Sequence, residues 1–328
     1  MPNSNVVVRE ARKDDTENIV LFFCKHFTES AEVFRKILGT KWCEDAPNMG
    51  FVLEDNGEIV GVYAGIYSWR LADGKRKLFL NLAAWAVDEM YRRHSLKLLT
   101  SLVSQDIDVA FTISASGHAG KILIRRGFSV FDTGTHLFPA IGIPFSFPLR
   151  KVRLHFSISR IESLVTEQER ILIRDHLPYK CIPLALEYKS EICLIILQRR
   201  PSKFGRYLAV LYASDWKLFN QSIPVLGPSL LFRLCNPVLG VETRFLHKIP
   251  VLGVQLSRKT YSKSESIKPT DIDGLYTEYV PQYSALQRLR FHQTIARVII
   301  RFPKIATTYL KYLLKKSVTP HQGAPDKR

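Results

Sequence analysis

The sequence predicts an α+β chain with a mixed α/β sheet, made of two successive copies of one strand-and-helix plan and ending in a basic helical tail. Three observations carry that expectation. Runs rich in β-branched and aromatic residues alternate with amphipathic stretches over residues 5–138, and a similar order returns over 151–283. Asn56-Gly57 stands between two β-rich runs, which is the strongest short-range signal for a hairpin. The run 78–87, LFLNLAAWAV, ends in the polar cationic turn Asp88–Ser95, and a leucine-rich helix opens after it. A helix beginning just beyond a strand presents free backbone N–H groups and partial positive charge, a natural holder for phosphate.

Taken in order, Asn5–Glu10 is a β-branched strand, and Asp14 or Asp15 caps a helix running to about His26. Glu29–Leu38 is a second helix that Gly39 ends. The hairpin at 51–65, the strand at 78–87 and the helix at 91–105 follow, then a strand at 109–114, a helix from His118 to Arg126 and a strand from Phe128. Residues 139–150 hold three prolines and one glycine and read as a linker. Beyond it, 154–159 is a strand and Thr166-Glu-Gln-Glu169 is a capping box that opens a helix to about His176. A second hairpin at 184–197 turns at Lys189-Ser190, a strand follows at 205–214, a helix from Pro224 to Cys235 and a strand at 241–246. The stretch 246–260 leaves little room for a last helix, and 268–278 reads as an ordered turn with a short helix. From Ser284 to Lys316 two basic amphipathic helices are expected, broken at Pro303. The organisation is therefore 1–138, a linker at 139–150, a divergent repeat at 151–283 and a tail at 284–328.

Net charge is +17, and the last 45 residues carry ten Lys/Arg against one Asp. Such a balance favours anionic partners: a phosphorylated co-substrate, RNA or an anionic membrane face. No apolar run reaches the roughly 20 residues a bilayer span needs, and the N-terminus has no secretory pattern. The five cysteines are scattered, which fits reduced thiols in a cytoplasmic protein. Walker-type, G-x-S-x-G and H-E-x-x-H motifs are absent, and the nine histidines make no metal-ligand spacing.

Two stretches resemble the GNAT acyl-CoA N-acyltransferase superfamily. Members carry a V-x-P-x-Y-R-like lead into Q/R-x-x-G-x-G/A and a leucine-rich helix. Here Val87-Asp-Glu-Met-Tyr91-Arg92 leads into Arg92-Arg93-His94-Ser95-Leu96-Lys97, then Leu98-Leu99. Their N-x-x-A-x-x-L-Y-x-x-x-G-F landmark has its counterpart in Ser116, Ala119, Ile122-Leu123 and Gly127-Phe128. The resemblance covers roughly residues 5–140, and Ser95 and Lys97 stand where the family has glycines.

The resemblance implies acetyl-CoA or another acyl-CoA as co-substrate. Its pyrophosphate would lie on Arg92, Arg93, His94, Ser95, Leu96 and Lys97, and its pantetheine arm along Trp85, Ala86 and Val87. Ser116 falls where a helpful asparagine is common, and Leu123 where many members have a general-acid tyrosine. His118, at the start of the same helix, is a base by its chemistry. His118 and Ser116 are thus the candidate catalytic residues, with no base assigned. The acceptor would be the amine of a small molecule or an amino sugar. Two other readings stay open: an aminoacyl-tRNA-dependent transferase of double GNAT fold with RNA on the tail, and a non-catalytic scaffold whose tail binds a partner or the inner membrane face.

Overall fold

The computed structural model describes residues 6–139, 152–203, 205–234, 236, 238–249 and 253–285. Residues 140–151, which take in the expected linker except Pro139, and residues 286–328, which take in the expected tail except Ser284 and Ala285, lie outside the described residues. The first half runs β1 (Val7–Glu10), α1 (Thr16–His26), α2 (Ala31–Leu38), β2 (Gly50–Asp55), β3 (Glu58–Ala72), β4 (Lys75–Val87), α3 (Ser95–Val103), β5 (Val109–Thr112), α4 (Gly117–Arg125) and β6 (Ser129–Pro139). The second runs β7 (Val152–His155), α5 (Ile158–Glu162), α6 (Glu167–His176), β8 (Ile182–Tyr188), β9 (Glu191–Ser202), β10 (Gly205–Ala213), α7 (Trp216–Leu234), β11 (Val238–Glu242), β12 (Val254–Lys263) and α8 (Tyr279–Gln282).

Local chemistry explains most of these boundaries. Asn56 and Gly57 both take positive φ, as do Asp73-Gly74 and Lys189-Ser190. Paired left-handed residues match the twist of antiparallel strands, so each dipeptide closes a hairpin. Thr166 accepts from the Glu169 amide while Glu169 reaches back to the Thr166 amide, making the expected capping box. Asp15 does not cap α1 with its side chain. Its carboxylate is held by the Arg9 guanidinium at 2.7 Å and the Arg12 amide at 2.8 Å.

Three expectations are corrected. The strand placed at 154–159 stops at His155, and Ile158 opens the short helix α5, which buries Ile161. The helix expected from Pro224 begins at Trp216 and passes through Pro224. Proline removes one helical N–H, but burial of Leu218, Phe219, Leu226 and Leu230 holds the helix together. The strand expected at 241–246 lies at Val238–Glu242, and a tight turn takes Thr243–Phe245.

All twelve strands described form one sheet in the order β1-β2-β3-β4-β5-β12-β6-β11-β10-β9-β8-β7. The two halves are interleaved at its centre. β12, from the end of the second half, slots antiparallel between β5 and β6 of the first, with Tyr261 opposite Thr112 and Leu256 opposite Thr135. β6 in turn pairs with β11, from Val238 opposite Pro139 to Glu242 opposite Thr135. α3 and α4 cover one face of the first half, packing Leu98, Leu99, Leu102 and Leu123 on Leu80 and Leu82. α1 and α2 cover the other, with Ile19, Phe23, Phe34 and Ile37 on Val52, Val62 and Ile66.

The halves also share local irregularities. β4 runs parallel to β5 only over Phe79–Asn81, and β10 to β11 only over Leu208–Ala209; beyond those pairs the strands part. Ala64 faces both Ala83 and Ala84, a bulge in β4, and Leu211 is the extra residue of a bulge in β10. No described helix is long and apolar enough to cross a membrane. The four described cysteines are free thiols, and among the described residues no cluster of three or more ligand side chains forms a metal site.

Candidate active site

The parting of β4 from β5 leaves backbone of β4 beyond Asn81 without a neighbour on that side. The bulge at Ala83–Ala84 turns the strand so that Trp85 stacks flat on Tyr63, with ring centres 4.7 Å apart. The Trp85 indole Nε1 and the Asn81 Nδ2 are both buried and have no hydrogen-bond partner. Buried donors are almost always paired in native proteins, and the Trp85 orphan beside an open strand edge marks a place for a ligand acceptor.

The turn after β4 differs in detail from the expectation. Glu89–His94 is a 3-10 turn, and α3 begins at Ser95, not at residue 91. The turn is anchored by Asp88, whose amide donates to Val60 O, and by the Tyr91 hydroxyl, which donates to Asp55 at 2.7 Å. No side chain caps α3. Arg92, Arg93 and Lys97 are exposed, so Lys97 carries its charge at the surface and does not fill the gap between the strands. His94 is half-buried and accepts from Arg93 Nε at 3.0 Å. Burial, then the Lys97 and Arg93 charges, push its basicity below the ordinary histidine range. Arg92, Arg93 and Lys97 stand together on this turn and make it electropositive.

Ser116 caps α4, accepting from the Ala119 amide at 3.3 Å, and His118 is exposed on the first turn of that helix. The acid that reaches the strands is one the sequence did not single out. Residues 272–282 cross the sheet and are pinned to both halves. Asp273 pairs with Arg70 at 2.9 Å, the Gly274 amide donates to the bulge carbonyl of Leu211 at 2.9 Å, and Gln198 donates to Val280 O at 2.7 Å. At the middle of this segment the Glu278 amide donates to Asn81 Oδ1 at 3.1 Å.

Glu278 is 4% exposed, and neither carboxylate oxygen has a hydrogen bond of normal geometry. Burial raises its pKa above the ordinary carboxylate value; the Ser114 and Asn81 side chains and the Arg200 charge pull the other way without cancelling it. Ser114, two residues before Ser116, is therefore the side chain from that loop that faces the acid. Nothing local in the sequence marks Glu278. The only hint is its place in an apolar segment, between Leu275 and Val280.

An acyl-CoA fits these features. The free edge of β4 could offer backbone groups to the pantetheine amides, Trp85 an unpaired donor, and the turn at 92–97 cationic charge for the phosphates. The side chains at Ser95 and Lys97 replace close backbone approach with a hydroxyl and an ammonium.

The architecture is that of the GCN5-related N-acetyltransferases. The chain is similar to the GCN5-related N-acetyltransferase of Anabaena variabilis ATCC 29413, at 12% identity over 79% of this chain and 72% of that one, with a TM-score of 0.51. The enzyme of the same name from Kribbella flavida matches at 12% identity, 79% of this chain, 71% of that one and a TM-score of 0.51. The GCN5-related glucosamine N-acetyltransferase region of a fungal multi-domain GH3 β-N-acetylglucosaminidase matches at 12% identity and a TM-score of 0.53, over 80% of this chain and 38% of that one. At this identity the likeness is one of fold. No protein-family model matches the sequence, and no curated protein sequence is significantly similar to it.

Proposed function

We propose that this protein is an N-acyltransferase that moves an acetyl or other acyl group from acyl-CoA to the amine of a small molecule or sugar. The observation that carries this reading is the buried, unpaired carboxylate of Glu278 beside the parting of β4 and β5. Two tandem GNAT-like units, 1–138 and 151–283, make up the body. The shared hairpins, bulges and strand partings support that division.

Bound acyl-CoA would supply the thioester carbonyl that the amine attacks and the thiol that leaves. Arg92, Arg93 and Lys97 would hold its phosphates through charge, with Ser95 adding a hydroxyl donor. Trp85, Ala86 and Val87 would line the strand edge along the arm. Asn81 ties Glu278 in place through the 278 amide, so the carboxylate meets the acceptor without reorganising. Glu278 then accepts the proton that the amine loses as the N–C bond forms. Its raised pKa keeps it a stronger base than an exposed glutamate, and burial excludes water from the transfer.

Isothermal titration with acetyl-CoA and longer acyl-CoAs, followed by thiol release in the presence of amines, tests the proposal. Micromolar binding and acceptor-dependent thiol release are expected. No heat and no thermal protection with any acyl-CoA overturn it.

A further inference from the structure

Arg70 and Arg200 hold corresponding places in the two halves. Each lies two residues before the end of its strand, β3 at Ala72 and β9 at Ser202, and each faces the strand that parts from its neighbour. Both are buried, at 8% and 9% exposure. Each donates its Nε to a side chain two residues earlier, Arg70 to Ser68 Oγ at 3.1 Å and Arg200 to Gln198 Oε1 at 3.2 Å.

Beyond that point they differ. Arg70 gives Nη1 to Asp273 at 2.9 Å and Nη2 to Leu275 O at 2.7 Å, so the chain itself satisfies and neutralises it. Arg200 makes no salt bridge among the described residues; its charge acts on the Tyr207 hydroxyl and on Glu278, and its Nη2 is buried with no hydrogen-bond partner. Its guanidinium lies against the rings of Tyr279 and Tyr283, at 5.1 and 5.9 Å from their centres. The Tyr279 hydroxyl is likewise buried and unpaired. The exposed Arg258 lies 5.5 Å from the centre of the same Tyr279 ring, so cationic charge leads from the surface inward. Tyr279 follows Glu278 directly in the chain.

A buried guanidinium with no direct salt bridge is costly, and its flat fork of donors matches a carboxylate or phosphate. We infer that Arg200, the Tyr279 hydroxyl and Arg258 form an anion subsite beside Glu278, and that the acceptor is an amine that also carries a carboxylate or phosphate group. Glu278 would face the amine while Arg200 holds the acid end, so opposite charges on the acceptor meet opposite charges on the protein. The identity of the ligand as acceptor rests on the acyl-transfer proposal; the subsite itself is tested without turnover.

The experiment compares matched acceptors by thiol release from acetyl-CoA: glycine against glycinamide, and glucosamine 6-phosphate against glucosamine. Wild type, Arg200→Gln, Arg200→Lys and Arg258→Gln are each assayed. A charge-assisted pair predicts a preference of about 10- to 100-fold in kcat/KM for the anionic member of one pair, carried mainly by KM. The pair that shows it tells carboxylate from phosphate. Arg200→Gln brings the ratio near one, Arg200→Lys keeps part of it, and Arg258→Gln, at an exposed position, lowers it without threatening the fold. In parallel, thermal shifts with the same four compounds and no acyl donor compare wild type with each variant. Thiol release with no acid preference overturns the subsite and leaves acyl transfer standing. If no acceptor releases thiol, acyl transfer falls. The subsite then stands on anion-dependent protection that the Arg200 variants lose, and falls if protection is absent or equal in all forms.

Discussion

Replacing Glu278 by Gln keeps the shape of the side chain and removes its charge. Both oxygens are buried without normal hydrogen bonds, and leaving a buried polar group unsatisfied costs about 1–3 kcal/mol. The amide escapes the charge penalty and can donate to Ser114, so Glu278→Gln should stabilise the protein by about that amount at pH 8. With an unfolding entropy near 2.1 cal/mol/K per residue, a chain of this length gains roughly 1–4 °C in Tm. The sign follows from the direction of the shift. Burial raises the pKa in the folded state, so the folded carboxylate resists ionisation that the unfolded chain accepts. The penalty is absent below the unfolded pKa and grows as pH rises through the folded one. The gain in Tm should therefore be larger at pH 8 than at pH 4. Loss of a general base lowers kcat about 10²- to 10⁴-fold, and the rise of kcat/KM with pH that wild type owes to Glu278 should flatten. Calorimetry and stopped thiol-release assays at several pH values measure both. A variant within threefold of wild-type kcat with an unchanged pH profile, or one that melts several degrees lower, would show that Glu278 is a structural strut and refute the reasoning.

Other perturbations probe the turn and the contact between halves. Lys97→Glu reverses an exposed charge at the start of α3 and should weaken acyl-CoA binding about tenfold or more at low salt, with a smaller difference at high salt; equal titration isotherms would remove the turn from the binding site. His94 is held below its ordinary pKa by burial and by Lys97 and Arg93, and a bound phosphate should raise it. Binding then takes up protons and tightens as pH falls towards 6, which titration in buffers of different ionisation enthalpy detects; no net proton uptake would count against it. His176 is buried, stacks on Trp42 at 5.6 Å and accepts from the Tyr276 amide at 3.3 Å, which requires the neutral ring. Burial lowers its pKa to about 4 from an unfolded value of 6.5. The unfolded state binds the extra proton between those values, so stability should fall by about 3 kcal/mol as pH drops from 6.5 to 4. His176→Gln should lose most of that slope in denaturant titrations, and parallel curves for the two proteins would refute the assignment.

The pieces with local causes were legible in the sequence. Asn56-Gly57 and Lys189-Ser190 close hairpins because paired positive φ is a property of the turn itself. Thr166 and Glu169 open α6 because both halves of the capping box lie within four residues. The cationic turn after β4 was also visible, although α3 starts at Ser95 and Ser114, in the loop before α4, was not singled out.

What the tertiary structure alone decided depends on partners far apart in the chain. Strand β12 pairs with β5 and β6 across more than a hundred residues, and no periodicity within 254–263 announces those neighbours. Glu278 matters because its amide meets Asn81, 197 positions earlier, and because folding strips its carboxylate of water. Arg70 and Arg200 look alike in sequence and differ in what the segment 272–283 brings to each: the Asp273 carboxylate and the Tyr276 ring for one, the Tyr279 and Tyr283 rings for the other. Propensity and turn chemistry act over a few residues, whereas burial and charge compensation are set by what folding places alongside.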